Sequence, residues 1–379
     1  MVLFPWLVAV LFHEPAQRVG IAQMCGALPA LFLILFGGVV GDRFDQRRIL
    51  IALHVFGALP PLVMAVLIGN DLLSYELMIG YALIGGIVGA FSQPARDALL
   101  SRVAGERIQR TVTIVMAMQF GVQILGISLA SLADRVGPVP LIAVQTTVMA
   151  LGSLAVARIR VDRFVAPVKR KHALKEIRDG LSIVLGSERM LPVMILTFAI
   201  GVFFAGAFTV LIPLTIRDVY HGGAQQIGLA YVLNMVGTVA VTLLLLARGG
   251  VARPGRAVIL GLGSGSLLFL PMVFGVSIDV FYLLIFLWGA GGGITMSMSR
   301  SIVQESAPPS HRARVMSVYS LGMMGGMPMG SLAMGYVIGV FGPLNAAWVP
   351  VIGMAAVVAW VSWKTSLWSL IPHPVAAQV

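Results

Sequence analysis

Gly37-Gly38-Val39-Val40-Gly41-Asp42-Arg43-Phe44-Asp45-Gln46-Arg47-Arg48 is the stretch that decides how this chain is read. It is short, basic and rich in glycine. On either side stand apolar runs without a charge inside, Val19–Val40 and Ile49–Asn70. About 20 apolar residues cross a bilayer as a helix. Backbone groups in lipid must be paired within the segment, which favours helices over open strands. The stretch is therefore a tight turn between two membrane helices. Small residues let the helix ends approach closely. Asp42 and Arg43 can exchange charge-assisted hydrogen bonds with neighbouring helix ends. Arg47 and Arg48 hold the turn on the side that retains cations.

The same grammar extends outward along all 379 residues. With 58% hydrophobic residues, 11% charged residues and a mean hydropathy of +0.95, the chain cannot be an ordinary soluble domain. Thr111–Ala133, Val136–Ala157 and Ala257–Ile278 are further uncharged spans. The spacing predicts a first helix over Met1–Phe12, then helices near 19–40, 49–69, 77–95, 111–133, 137–157, 190–216, 224–247, 257–276, 280–299, 315–340 and 344–363. Alternate connections between them carry 23 of the 26 Lys and Arg residues. The opposite set holds only Arg18, Arg135 and Arg217, beside Glu14, Asp71, Glu76, Asp134, Asp218 and Asp279. Cytoplasmic loops retain Lys and Arg, so this asymmetry orients the protein. The net charge of +11 is thus an orientation signal beside anionic lipid, and no nucleic-acid partner is expected. Twelve residues rise only about 18 Å as a helix, short of a roughly 30 Å core. The front of the first helix is therefore expected to be absent, through a misplaced start or a truncated gene.

The longest polar stretch, Arg158 to Arg189, divides six helices from six. Within it Lys169-Arg170-Lys171-His172 precedes Ala173–Leu185, an amphipathic surface helix with Leu174, Ile177, Leu181 and Val184 on one face. The expected organisation is a six-helix bundle over 1–158, a basic linker over 159–189 and a second six-helix bundle over 190–379. The halves look alike. Gly85-Gly86-Ile87 opens a segment that ends at Gly137-Pro138, and Gly292-Gly293-Ile294 opens one that ends at Gly342-Pro343. The fold class is all-α and polytopic. Paired six-helix halves are a transporter architecture, with the substrate held between them near the midplane.

The turn Gly37–Arg48 resembles the loop motif of the major facilitator superfamily, Gly-x-x-x-Asp-Arg followed by a basic pair. Asp45 stands where that motif usually has a late glycine. The Asp-Gln-Arg-Arg ending is similar to one branch, the enterobactin-exporter and macrolide-efflux-like group of transmembrane secretion effectors. Phe4-Pro5-Trp6-Leu7-Val8, Gln93–Leu100, His172–Gly180 and the chain from Gly292 onward resemble the same branch. The resemblance implies a conformational latch made by Gly38, Gly41, Asp42, Arg43 and Arg47, with Asp97 as a partner. The counterpart loop of the second half, Ala247–Arg256, has three arginines and no acid. Drug antiporters of the superfamily carry a Gly-Pro pair in the fifth helix. Here Gly121 and Gly126 sit in that region and Ile127 replaces the proline.

Polar groups inside a membrane span face a bundle interior or a cavity. Gln119 and Gln123 lie four apart on one face, as Tyr231 and Asn234 nearly do. These four, with Phe204 and Met324, form the candidate substrate cavity. Two readings stay open for the polar four: substrate contact, or hydrogen bonding between helices. The Phe and Met clusters around 203–208 and 323–327 are more often packing, and the Gly runs 289–293 and 322–330 more often close helix contact. Proton coupling needs a carboxylate or His that titrates while facing each side in turn. No intact span has a midplane Asp or Glu, and His54 is read as structural. The family branch commonly places an Asp in the inner half of the first helix.

The chain lacks a Gly-x-x-x-x-Gly-Lys-Ser/Thr loop, ligand-like His or Cys spacing and a Ser/His/Asp set, so ATP driving, a metal, a cofactor and an enzyme activity are not expected. Cys25 is the one cysteine. The expectation is a monomeric inner-membrane transporter of a small amphipathic molecule, a proton-coupled drug or siderophore exporter. The alternatives are metabolite uptake, a non-transporting membrane sensor or an inactive truncated remnant.

Overall fold

A computed structural model of the chain describes residues 3–104, 108–159, 173–248, 251–308 and 311–370. The side chains of residues 37–43 and 173–177, among others, lie outside that description, as does the whole Lys169–His172 stretch. Regular structure among the described residues is helical throughout. Eight of these helices are long and apolar enough to cross a membrane. The chain forms two compact units, Met1–Ala173 with Gly222–Gly228, and Leu174–His221 with Leu229–Val379.

The first unit begins with α1, helical over Leu3–Trp6 and π-helical over Leu7–Leu11. The Phe12 amide reaches back five residues to the Leu7 carbonyl at 3.0 Å. His13 then takes φ +49°, and Pro15 bars continuation. α2 spans Ala16–Arg43 and α3 spans Gln46–Gly69. The turn between them is shorter than its sequence suggests, because α2 stays helical through the Gly37–Arg43 motif. α4 covers Tyr75–Ala104, α5 covers Ile108–Ala130 and α6 covers Pro138–Arg158. α4 outruns its expected end near residue 95. Beyond Pro94, Ala95 and Leu99 pack with Leu50 against Ile49, Val156 and Ile159, and that burial keeps the last turns helical. α2 lies along α4, while α3 packs on α4 and α6.

The second unit opens with α7, Ala173–Leu185, the amphipathic helix expected there. Val184 is buried and Gly180 seats against the Arg314 carbonyl, whereas Leu181 is exposed. Arg314 and Asp179 pair at 3.4 Å to tether it. α8 spans Met190–Asp218 and is not the plain α-helix its apolar run predicts. Ile200–Ala205 and Ala207–Leu211 are π-helical. π segments arise where a helix accommodates an extra residue, and they recur at functional sites. α9 covers Ala224–Ala247, and α10 covers Pro254–Leu267. α11 runs over Ile278–Ser306, seven residues past its expected end at 299. α12 runs over Arg312–Ala346 with a break at Gly342, and α13 over Trp348–Lys364.

The internal repeat is visible in geometry. Gly137 (φ +77°, ψ 167°) and Gly342 (φ +79°, ψ 165°) adopt one conformation, and each is followed by proline. Only glycine adopts such angles at no steric cost. Gly86 and Gly293, aligned by sequence, play one part: a Cβ on Gly86 would strike the Gly26 carbonyl of α2, and one on Gly293 the Thr238 carbonyl of α9. α10 packs on α11 and α13 as α3 packs on α4 and α6.

Candidate functional site

The motif turn is built from helix ends. Asp45 is the N-cap of α3, its carboxylate accepting from the Arg47 amide at 3.0 Å. The Arg47 guanidinium crosses to the C-terminal end of α6. Its Nε donates to the Val156 carbonyl at 3.3 Å, and Nη2 donates to the Ala157 carbonyl. Both carbonyls lie in the last turn and belong to the negative dipole end of the helix, and the Val156 carbonyl also accepts from the Ile159 amide at 3.1 Å. Asp97 of α4 accepts from Gln93 Nε2 at 3.1 Å, and Gln93 in turn accepts from Arg96 at 2.6 Å. The side chains of Gly38, Gly41, Asp42 and Arg43 lie outside the described residues. The Asp45 substitution was legible as a departure from the motif. Its capping role follows from its place just before the first helical residue.

The candidate cavity residues fall into both units. In the first, Gln119 on α5 is exposed and Gln123 is half-buried. In the second, the aromatic residues form a packed cluster. Phe208 stacks on Tyr231 with ring centres 4.3 Å apart, and Phe204 meets Phe269 at 6.0 Å and Trp288 at 5.5 Å. Tyr231 is fully buried and its hydroxyl donates to the Phe208 carbonyl at 2.9 Å, across to α8. Asn234 Nδ2 donates to the Ile285 carbonyl of α11 at 3.2 Å. Both polar groups therefore bond between helices. Met324 on α12 is half-buried.

Two polar residues passed over by pattern reading stand out. Gln23 Nε2 on α2 and Ser299 Oγ on α11 are buried without a hydrogen-bond partner among the described residues. An unmet buried polar atom costs about 1–3 kcal/mol, so each is a candidate to meet a solute. The signal in the sequence for Gln23 was a lone polar residue in an apolar run, whereas Ser299 stands among Ser297, Arg300 and Ser301 and gave none. His54 is bonded and packed within the first unit. Its Nδ1 donates to the Leu50 carbonyl at 2.7 Å and its ring seats on Gly152 of α6.

At the far end of the first unit, Asp134 is a hub. It accepts from the Trp6 indole at 2.9 Å and from the Gln225 amide, in the first turn of α9, at 3.1 Å. Among the described residues, no group of three or more His, Cys, Asp and Glu is placed to hold a metal ion.

The chain matches the Major Facilitator Superfamily over residues 1–331 and again over 256–376. It belongs to that superfamily. A superfamily member is a multi-pass membrane transporter of small molecules, and membership speaks for transport rather than catalysis. The staphyloferrin A transporter of Staphylococcus aureus (strain NCTC 8325 / PS 47) is 24% identical over 353 residues, covering 89% of this chain and 84% of its own. Two solved transporters share the superfamily fold. The nucleoside transporter NupG gives a TM-score of 0.71 at 14% identity, over 97% of this chain and 94% of its own. An auto-inhibited POT family peptide transporter also gives 0.71 at 14% identity, over 99% and 94%.

Proposed function

We propose that this superfamily member exports a small amphipathic molecule of the siderophore class across the bacterial inner membrane, driven by protons. The observation that carries the substrate class is the likeness to a staphyloferrin A transporter across 89% of the chain. The loop-motif resemblance to exporters supports the direction. The repeated helix packing supports alternating access, in which two six-helix bundles rock about a central site. The basic loops, holding 23 of 26 cations, support a cytoplasmic linker. The Gly37–Arg48 loop acts as the latch of the cycle through Asp42, Arg43 and Arg47. Gln23, Gln119, Gln123 and Ser299 are the polar groups offered to the substrate, and Phe204 and Met324 belong to its apolar wall. The protein works as a monomer.

The test compares a disrupted strain with its parent for intracellular accumulation of siderophores, dyes and antibiotics, with and without a protonophore. Retention of a siderophore by the disrupted strain, and by the parent once protonophore is added, is the expected result. Unchanged accumulation across the panel, with altered growth on one nutrient, would replace export with uptake.

A further inference from the structure

The loop Ala247–Arg256 is the counterpart of the latch, yet it has no acid for its three arginines to meet. Val251 of this loop lines a groove of about 720 Å³ that lies wholly within the second unit. Leu260 and Leu267 of α10, Ile294 of α11 and Ala359 of α13 wall it. The hydroxyls of Ser264 and Ser266 are bonded to carbonyls of their own helix, Gly261 at 3.3 Å and Gly263 at 2.8 Å. They leave the groove apolar. Leu260 and Leu267 are 59% and 58% exposed, so in a bilayer hydrocarbon covers this surface.

The residues at one end mark the headgroup level. Arg256 lies 5.1 Å over the Trp368 ring and donates to the Trp368 carbonyl at 3.1 Å, and the Lys364 ammonium sits 4.5 Å over the Trp363 ring. Trp with basic residues is the signature of the membrane–water interface. From there the groove runs along α10 from Ala257 to Leu267. Ten residues at 1.5 Å each make about 15 Å, half of a roughly 30 Å hydrocarbon core. The groove is one leaflet deep. Leu245 and Val251 also line it. Arg248 follows Leu245 by three residues and Arg253 follows Val251 by two. Both arginines are exposed, and neither forms an ion pair among the described residues.

We propose that this groove binds one anionic phospholipid, with an acyl chain along α10 and the phosphate held by Arg248 and Arg253. A guanidinium offers phosphate a planar pair of donors. A zwitterionic lipid gives the groove the same chain but brings its own cation up against the arginines. The site depends neither on the substrate nor on the direction of transport.

Native mass spectrometry of the full chain in detergent, with phosphatidylglycerol and phosphatidylcholine of matched chains, tests this. The parent should retain phosphatidylglycerol preferentially. Arg248→Gln with Arg253→Gln should weaken that retention by about fivefold per arginine and leave phosphatidylcholine unchanged, while the double Arg→Lys variant keeps the preference. Gly263 has its nearest neighbouring atom, on Val358, 3.9 Å from a built Cβ, so Gly263→Phe can enter the groove without a backbone clash. It should weaken retention of both lipids while the protein still elutes as the parent does. Equal retention of the two lipids by the parent, or a preference that survives the double Gln change, overturns the arginine clamp. Undiminished binding by Gly263→Phe overturns the groove as the place of the chain.

Discussion

Arg47 shows how much one side chain can be read and misplaced at once. Its sequence position marks it as part of a basic turn. Its bonds show it gripping the last-turn carbonyls of α6, with Asp45 capping α3 two residues away. A charge-assisted hydrogen bond is worth about 1.5–3 kcal/mol. Arg47→Gln should therefore lower the midpoint of thermal unfolding in detergent, and Arg47→Lys should recover only part of the loss, since an ammonium cannot reproduce the fork of donors. A midpoint equal to the parent's would mean that the α6 carbonyls are met some other way. Asp45 was legible only as a departure from the motif, since Gln46, Arg47 and Arg48 separate it from the apolar run that begins at Ile49. The grip on α6 was not legible, because Arg47 and Val156 lie 109 residues apart.

Among elements, the contact between α9 and α11 rests on absent side chains. A Cβ on Gly289 would strike the Asn234 carbonyl and one on Gly237 the Phe286 carbonyl. Thr238 donates to the Gly289 carbonyl at 2.9 Å across the same contact. Gly292, three residues on in the same glycine run, has nothing within 4 Å of its built Cβ. Overpacking a close contact costs about 1–3 kcal/mol, whereas alanine in an open helix position is about 1 kcal/mol better than glycine. Gly289→Ala should cut the yield of folded protein and lower its unfolding midpoint. Gly292→Ala should match or exceed the parent. Equal behaviour of the two variants would remove the close-contact account. The run itself announced helix packing. Which of its glycines the neighbour touches depends on how α9 is rotated, and composition carries no record of that. The same limit hid the π turns of α8, whose apolar run reads like any other helix.

For the whole molecule, the latch we propose at Gly37–Arg48 predicts an effect on the transport cycle rather than on stability. Asp42→Asn keeps the shape and removes the charge, so transport should fall while membrane abundance stays at the parent's level. Uptake or efflux by the mutant equal to the parent's would leave the motif as a topology signal alone. The chain's own letters determined a great deal at this scale: membrane helices, their alternation of charged and bare connections, the linker helix at Ala173–Leu185 and the repeat marked by Gly137 and Gly342. Each of these follows from a local rule, since burial in lipid selects apolar runs, headgroups select cations, and a positive φ selects glycine. Only the tertiary structure decided that Tyr231 and Asn234 bond to neighbouring helices, that Gln23 and Ser299 have no hydrogen-bond partner among the described residues, and that an apolar groove runs along α10. Those outcomes depend on which helix faces which, and that is settled by packing between residues far apart in the chain.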